Sequence, residues 1–148
     1  KILQNLKYDK KTIKSVARLV ELHLRPHTFK MGWTDSAVRR YIVDAGDVLD
    51  DLNNLVRADV TTKNKQKAQE IYEKLDEMET RIKEVLEKEE MSKLRPPITG
   101  DEIMSLFNLE PGPKVGVIMK ALYEQRINEG EVTKQEAIKL AKETFNKL

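Results

Sequence analysis

The sequence of 148 residues contains no cysteine. Disulfide bonds and zinc sites with cysteine ligands are therefore excluded, and the composition suits a reducing compartment, so we expect a cytoplasmic protein. Charged residues interrupt every apolar run well before the roughly 18 residues that a membrane-spanning helix needs, and we expect no membrane association. The chain begins with lysine rather than methionine. We therefore expect it to be a piece of a longer protein.

Signals for β-structure are also scarce. The strict alternation of apolar and polar residues that marks a strand is nearly absent, and the hairpin dipeptides Asn-Gly and Asp-Gly do not occur. Apolar residues recur instead at the three- and four-residue spacing of helices. The sequence predicts an all-α fold, a helical bundle with one long central helix and a small C-terminal helical tail.

The long helix is predicted over residues 63–90. Its apolar residues step by three and four positions, which is the seam of a helical hairpin or a short coiled coil. The seam residues are Ala68, Ile71, Leu75, Met78, Ile82 and Val85. Because two prolines follow in "LRPPITG", residues 94–100, we predict a break in the chain there.

Shorter helices flank the long one. We predict a helix over residues 10–24 that Pro26 ends, and another that Thr34 caps and Gly46 breaks. In the tail, two Thr-x-x-Glu patterns predict capping boxes at helix starts. They are Thr99 with Glu102, and Thr133 with Glu136.

The net charge of +2 is unevenly distributed. Residues 1–30 carry eight Lys or Arg against two Asp or Glu, a net charge of +6. Residues 31–62 carry three Arg against six Asp, a net charge of −3. A basic N-terminal segment is compatible with RNA binding, although lysine-rich helix faces are commonly only solvated.

No complete catalytic motif is present. His23 and His27 are four residues apart, and on one helix they could share a metal ion. Pro26 lies between them and should end the helix, so two ordinary histidines at a polar helix end are the simpler interpretation.

Three places offer cations to an anionic partner. Arg39 and Arg40 in "WTDSAVRRY" cannot both face the core, so at least one must face solvent or pair with a nearby aspartate. The segment 57–64 is either a capped turn or a corner that contacts RNA phosphates, since its side chains are common donors to nucleic-acid backbones. Gly112 and Pro113 form either a simple turn into a helix or, with Lys114, a phosphate cradle.

Five strings then occur in order along the chain. They are "LVELHLRPHTF", "WTDSAVRRYIVDAGDVLDDL", "LVRADVTTKN", "RPPITGDEIM" and "PGPKVGVIMKAL". Together they resemble the C-terminal half of bacterial CCA-adding tRNA nucleotidyltransferases, often named poly(A) polymerases. The resemblance covers nearly the whole chain.

The resemblance implies an architecture. Residues 1–60 would be the C-terminal part of an HD-like helical domain, residues 61–95 a long connecting helix, and residues 96–148 a three-helix tail that binds tRNA. The family's catalytic head, which binds ATP or CTP with magnesium, is not found here. We therefore expect the 148 residues to hold no cofactor, to lack nucleotide addition by themselves and to position tRNA or other RNA 3′ ends for that head.

The resemblance also suggests site residues. Candidate RNA contacts are Arg39, Arg40, Arg57, Thr61, Thr62, Lys63, Asn64 and Lys114. His23 and Asp59 resemble positions of an HD-type metal site and would serve only in the complete parent protein. Whether that parent adds CCA, poly(A) or part of CCA depends on the missing head.

Two alternatives stay open. The chain could be a fragment of an HD-type metal-dependent phosphohydrolase, although such a site needs an adjacent His-Asp pair that this sequence lacks. It could also be a helical interaction module that pairs through the seam of residues 68–85. Separately from these alternatives, the exposed helical faces of a truncated HD-like bundle would allow homodimers.

Overall fold

A computed structural model describes residues 1–89 and 95–148. These residues form no strand, which confirms the all-α prediction. The α-helices are α1 (Ile2–Asn5), α2 (Lys10–Leu22), α3 (Asp35–Ala45), α4 (Leu49–Ala58), α5 (Lys65–Glu89), α6 (Gly100–Phe107), α7 (Pro113–Glu129) and α8 (Lys134–Phe145), and 3-10 helices occupy Arg25–Met31 and Gly46–Val48. In this part of the chain no helix is both long and apolar enough to cross a membrane.

The described residues group into two compact units. The first contains residues 1–34 and 40–84, and the second contains residues 35–39 and 85–148. The three-part division at 60/61 and 95/96, which follows the proline break and the family resemblance, stays a prediction. Leu94, the first residue of the predicted break, lies outside the described residues.

In the first unit, α2 begins at a side-chain cap. Asp9 Oδ1 accepts hydrogen bonds from the backbone N–H groups of Lys11 (2.9 Å) and Thr12 (3.0 Å), and the Thr12 hydroxyl donates to the other carboxylate oxygen. These hydrogen bonds, those from Thr12 foremost, lower the pKa of Asp9. The helix ends at Leu22 rather than at residue 24, and Pro26 lies in the 3-10 helix that follows.

The apolar seam of α5 packs against other residues of the same chain. Leu75, Met78, Ile82 and Val85 are buried, and Ala68 and Ile71 are half-buried. Of the four buried residues, Val85 belongs to the second unit. Outside the seam, the buried apolar side chains of the first unit are Leu22, Phe29, Tyr41, Ile42, Ala45, Val48, Leu52 and Val56. A seam with this burial is not a free pairing surface, so the interaction-module alternative loses the contact face on which it depended.

The second unit has its own core, and its helices start as the sequence predicts. The buried core residues are Ile98, Ile103, Ile118, Leu122, Val132, Ala137 and Ala141. At α6, Thr99 Oγ1 accepts from the backbone N–H of Glu102 (3.2 Å), and Glu102 Oε2 accepts from the backbone N–H of Thr99 (2.8 Å). The same reciprocal pair, at 3.3 and 2.9 Å, opens α8 between Thr133 and Glu136. Both capping boxes are confirmed.

Candidate nucleic-acid interface

The corner between α4 and α5 presents cations at a helix start. Asn64 caps α5, because its Oδ1 accepts a hydrogen bond from the backbone N–H of Lys67 at 3.1 Å. Thr61, Lys63, Lys65 and Lys67 are exposed, and the first turn of α5 contains no acidic residue. Within the described ranges the side chains of these lysines have no hydrogen bond or ion pair. The corner therefore has positive charge that no described residue neutralises through an ion pair.

Two other predicted RNA contacts of this segment, Thr62 and Asn64, already use their side-chain oxygens in hydrogen bonds within the chain. Thr62 is half-buried, and its hydroxyl accepts from the backbone N–H of Asn64 at 3.4 Å. Asn64 uses its side-chain oxygen as the helix cap. Thr62 and Asn64 thus form a capped turn, whereas Thr61 and Lys63 face solvent, and the contact of this segment with RNA phosphates stays a prediction.

Arg57 joins α4 to α5. Its Nε donates to Glu79 Oε1 at 2.9 Å, and its NH2 group donates to Asp76 Oδ1 at 2.5 Å. The hydrogen bonds with Glu79 and Asp76 raise the pKa of the Arg57 guanidinium. Two carboxylates already balance this cation, so we leave Arg57 out of the proposed RNA contacts.

Arg39 lies in the second unit and is 7% exposed. Its guanidinium donates to the backbone carbonyls of Ile127 (2.9 Å) and Asn128 (3.4 Å) in the last turn of α7. A cation at a helix C-terminus is stabilised by the carbonyls that lack helical partners. Because the buried Arg39 side chain has little surface that a phosphate could contact, we also exclude Arg39 from the proposed RNA contacts. Arg40 is half-buried and has an interaction of its own.

Trp33, which precedes α3, packs in the first unit. Its ring lies 5.6 Å from Phe29 in an edge-on arrangement and 5.1 Å from Tyr41. Its indole N–H donates to the Thr28 hydroxyl at 3.1 Å. Burial raises the pKa of Tyr41, whose hydroxyl donates to Asn53 Oδ1 at 3.1 Å. Trp33 therefore anchors the loop onto neighbouring aromatic rings.

His23 and Asp59 are the two residues predicted as ligands of an HD-type metal site. His23 Nδ1 lies 2.7 Å from the backbone carbonyl of Val20, so that nitrogen carries the proton and donates. Asp59 is exposed and is the C-cap of α4. Among residues 1–89 and 95–148, no three His, Asp or Glu side chains gather as a metal site. The assignment of His23 and Asp59 to a site in a complete parent protein stays a prediction.

Lys114 is exposed in the first turn of α7. Gly112 is the N-cap and has extended backbone, and Pro113 is the first helical residue, as the simple-turn interpretation expects. The first turn of α7 contains no acidic residue. Lys114 has no side-chain partner in the described part of the chain, so its ammonium group is available to an anion.

One lysine-lined groove was not predicted at the level of residues. It lies in the first unit, has a volume of about 700 Å³ and is lined by Lys10, Lys11, Lys14, Ser15, Asp47, Val48 and Asp51. The signal in the sequence was the charge of +6 over residues 1–30. The charges of the two aspartates partly offset those of the three lysines, so the groove is less cationic than the corner between α4 and α5.

Comparison with known proteins identifies the family of this chain. A family model described as tRNA nucleotidyltransferase domain 2 matches residues 1–141. The chain belongs to this family. That result confirms the resemblance inferred from the five strings.

Two curated relatives show how much of a tRNA nucleotidyltransferase the chain represents. It is 35% identical over 134 residues to the CC-adding tRNA nucleotidyltransferase of Thermus thermophilus, which covers 89% of this chain and 28% of that protein. It is 34% identical over 139 residues to the A-adding tRNA nucleotidyltransferase of Deinococcus radiodurans, which covers 92% of this chain and 30% of that protein. The chain spans less than a third of the length of these relatives. No solved structure matches it.

Proposed function

We propose that this chain is the RNA-binding region of a tRNA nucleotidyltransferase and that it positions tRNA while the 3′ end is extended. The family and two relatives named for adding C or A to tRNA support the proposal. Those names favour addition of part or all of CCA over poly(A). Magnesium and ATP or CTP would then bind to polypeptide outside these 148 residues.

The observation that carries the proposal is the α5 corner, which we define as Thr61, Lys63, Lys65 and Lys67. Among the described residues the ammonium groups of Lys63, Lys65 and Lys67 have no ion-pair partner, and they lie at the N-terminus of a helix of 25 residues, where the helix dipole adds partial positive charge. Phosphate oxygens are the ligands that such an arrangement favours. The corner is therefore suited to a nucleic-acid backbone.

The type of contact follows from the donors present. Lysine ammonium groups and a threonine hydroxyl recognise phosphates and ribose hydroxyls without reading base sequence. A-form RNA displays phosphates and 2′-hydroxyls more readily than base edges. An enzyme that acts on many tRNAs requires this kind of recognition, since their sequences differ while their shape is shared.

The test is a titration of the chain with unmodified tRNA, followed by anisotropy, at about 50 mM and about 200 mM salt. The double variant Lys63→Ala/Lys65→Ala should lower the slope of log K against log salt by about 1.4–1.8, because each phosphate contact contributes roughly 0.7–0.9. Lys83→Ala/Lys88→Ala, two exposed lysines on the same helix, is the matched control and should leave the slope unchanged.

Two results would contradict the proposal. One is the absence of tRNA binding at low salt. The other is a salt slope that the two double variants change equally, since binding would then follow total charge rather than the α5 corner.

A further inference from the structure

The outer face of α7 carries three residues that the predicted RNA contacts do not include. Gly116, Lys120 and Tyr123 are spaced at i, i+4 and i+7, so they lie on the same side of the helix. All three are exposed, and Tyr123 retains 41% of its surface. At 1.5 Å per residue the face extends about 10 Å along the helix axis.

Nothing in the described chain accounts for glycine at position 116. Its φ lies outside the positive range that favours glycine, and its N–H donates to the Gly112 carbonyl at 3.2 Å as in an ordinary helix. A Cβ atom built on Gly116 meets no atom within 4 Å. Glycine is unfavourable in a helix, and its usual benefit is to let another group approach the backbone closely. Any group that approaches this backbone would have to come from outside the described residues.

The neighbouring side chains indicate what that group is. Lys120 has no hydrogen bond or ion pair with any described residue, and the same is true of the Tyr123 hydroxyl. Glu124, the acidic residue four positions after Lys120, already has a partner of its own. An unpaired ammonium group beside an exposed aromatic ring is the combination that binds single-stranded nucleic acid, through a phosphate contact and base stacking.

We propose that the α7 face of Gly116, Lys120 and Tyr123 binds an unpaired RNA strand. The ribose–phosphate backbone passes over Gly116, a phosphate contacts Lys120 and an unpaired base stacks on Tyr123. This inference rests on the proposed function and specifies its ligand further, since the α5 corner recognises backbone of any form whereas this face requires an unstacked base. Double-stranded RNA keeps its bases stacked inside the helix and cannot provide that contact.

The experiment compares the binding of two fluorescently labelled RNAs with the same number of phosphates, one single-stranded and one a blunt-ended duplex without a loop, to the 148-residue chain. We expect the single strand to bind more tightly. Tyr123→Ala should weaken its binding at least about fivefold, the lower bound for base stacking on an aromatic ring, while Tyr123→Phe should retain it. Lys120→Ala should lower the salt slope by about 0.7. Gly116→Leu should weaken binding without loss of helical circular dichroism.

Matched controls separate this face from exposed residues elsewhere. Tyr8→Ala removes a tyrosine that is 52% exposed, and Lys139→Ala removes an exposed lysine on α8. Neither control should change single-strand affinity more than about twofold, the range expected when no stacking or phosphate contact is lost.

The outcomes distinguish this inference from the proposed function. If tRNA binding is salt-sensitive and depends on the α5 corner, but Tyr123→Ala and Gly116→Leu bind the single strand like the unaltered chain, the inference is wrong and the function stands. Equal affinity for the duplex and the single strand would also overturn the inference alone, as would dimerisation that Tyr123→Ala abolishes. If the unaltered chain binds no RNA at low salt, both proposals are wrong.

Discussion

Gly116 and Gly46 form a matched pair for testing why glycine occupies each position. A Cβ atom at either site meets nothing within 4 Å, so steric contact does not separate them. Their backbones differ, because Gly46 has a φ of +54° whereas Gly116 lies within α7. Gly116→Ala should stabilise the fold by about 0.5–1 kcal/mol, the helical preference for alanine over glycine. Gly46→Ala should destabilise it by about 1–2 kcal/mol, the cost of left-handed backbone for an L-residue.

Thermal and urea unfolding of the three proteins would measure both effects. For a chain of 148 residues, a change of 1 kcal/mol shifts Tm by about 2–4 °C, so the two variants should move in opposite directions from the unaltered chain. A fall in Tm for Gly116→Ala would show that a neighbouring group already occupies the space over this glycine. Equal effects of the two substitutions would show that the left-handed backbone at Gly46 does not persist in solution. Either result would refute the reasoning.

Four further predictions concern the core, the ion pairs and activity. Leu52→Ala should destabilise the protein by about 2–5 kcal/mol in urea unfolding, because Leu52 is 0% exposed, while Leu55→Ala at 36% exposure should cost much less. Arg57→Ala should cost about 1 kcal/mol by the same assay, since two partly exposed ion pairs are lost. Lys134→Ala should raise the pKa of Glu102 in an NMR titration. The chain alone should incorporate no labelled ATP or CTP into tRNA.

The sign of the pH effect follows from the direction of the pKa shift. Hydrogen bonds from Lys134 and from the Thr99 backbone hold the pKa of Glu102 below its ordinary value of 4.5. The ionised carboxylate therefore stabilises the capping box above the pKa of the unfolded chain, and this contribution is lost as pH falls through the lower folded pKa. Loss of stability on acidification should thus be smaller in Lys134→Ala. An unchanged acid profile and an unchanged Glu102 pKa would contradict the assigned hydrogen bond.

Most of the secondary structure follows from local sequence signals. The two Thr-x-x-Glu boxes, the proline at the start of α7 and the heptad seam of α5 all specify structure through residues within a few positions of one another. Such interactions can be predicted because the helix itself fixes their geometry. Helix ends are predicted less accurately. For example, α2 ends at Leu22, two residues earlier than expected, and a 3-10 helix that contains Pro26 follows.

The candidate site was harder to predict, because the availability of a cation depends on partners distant in sequence. From the sequence alone, Arg39 and Arg57 cannot be distinguished from solvent-exposed arginines. The structure gives Arg39 carbonyl partners 88 and 89 residues away, and gives Arg57 carboxylates 19 and 22 residues away. Lys63 needed no such knowledge, since a lysine in a polar turn before a helix is exposed by default. Gly116 could not be interpreted without the structure, because only the fold shows that no described atom lies within 4 Å of a Cβ at this position.

The hydrogen bond from Arg39 to the carbonyl of Ile127 has a consequence for the order of events during synthesis. The two residues are separated by 88 positions. At about 5–20 residues per second, a ribosome makes Ile127 about 4–18 s after Arg39. All residues of the first unit, up to residue 84, have been made before Ile127, whereas the carbonyl partner of Arg39 has not. The second unit cannot be completed until its late residues have been made, and it includes side chains from the early part of the chain, so cutting the chain at residue 85 would remove two of its buried residues, Val38 and Arg39.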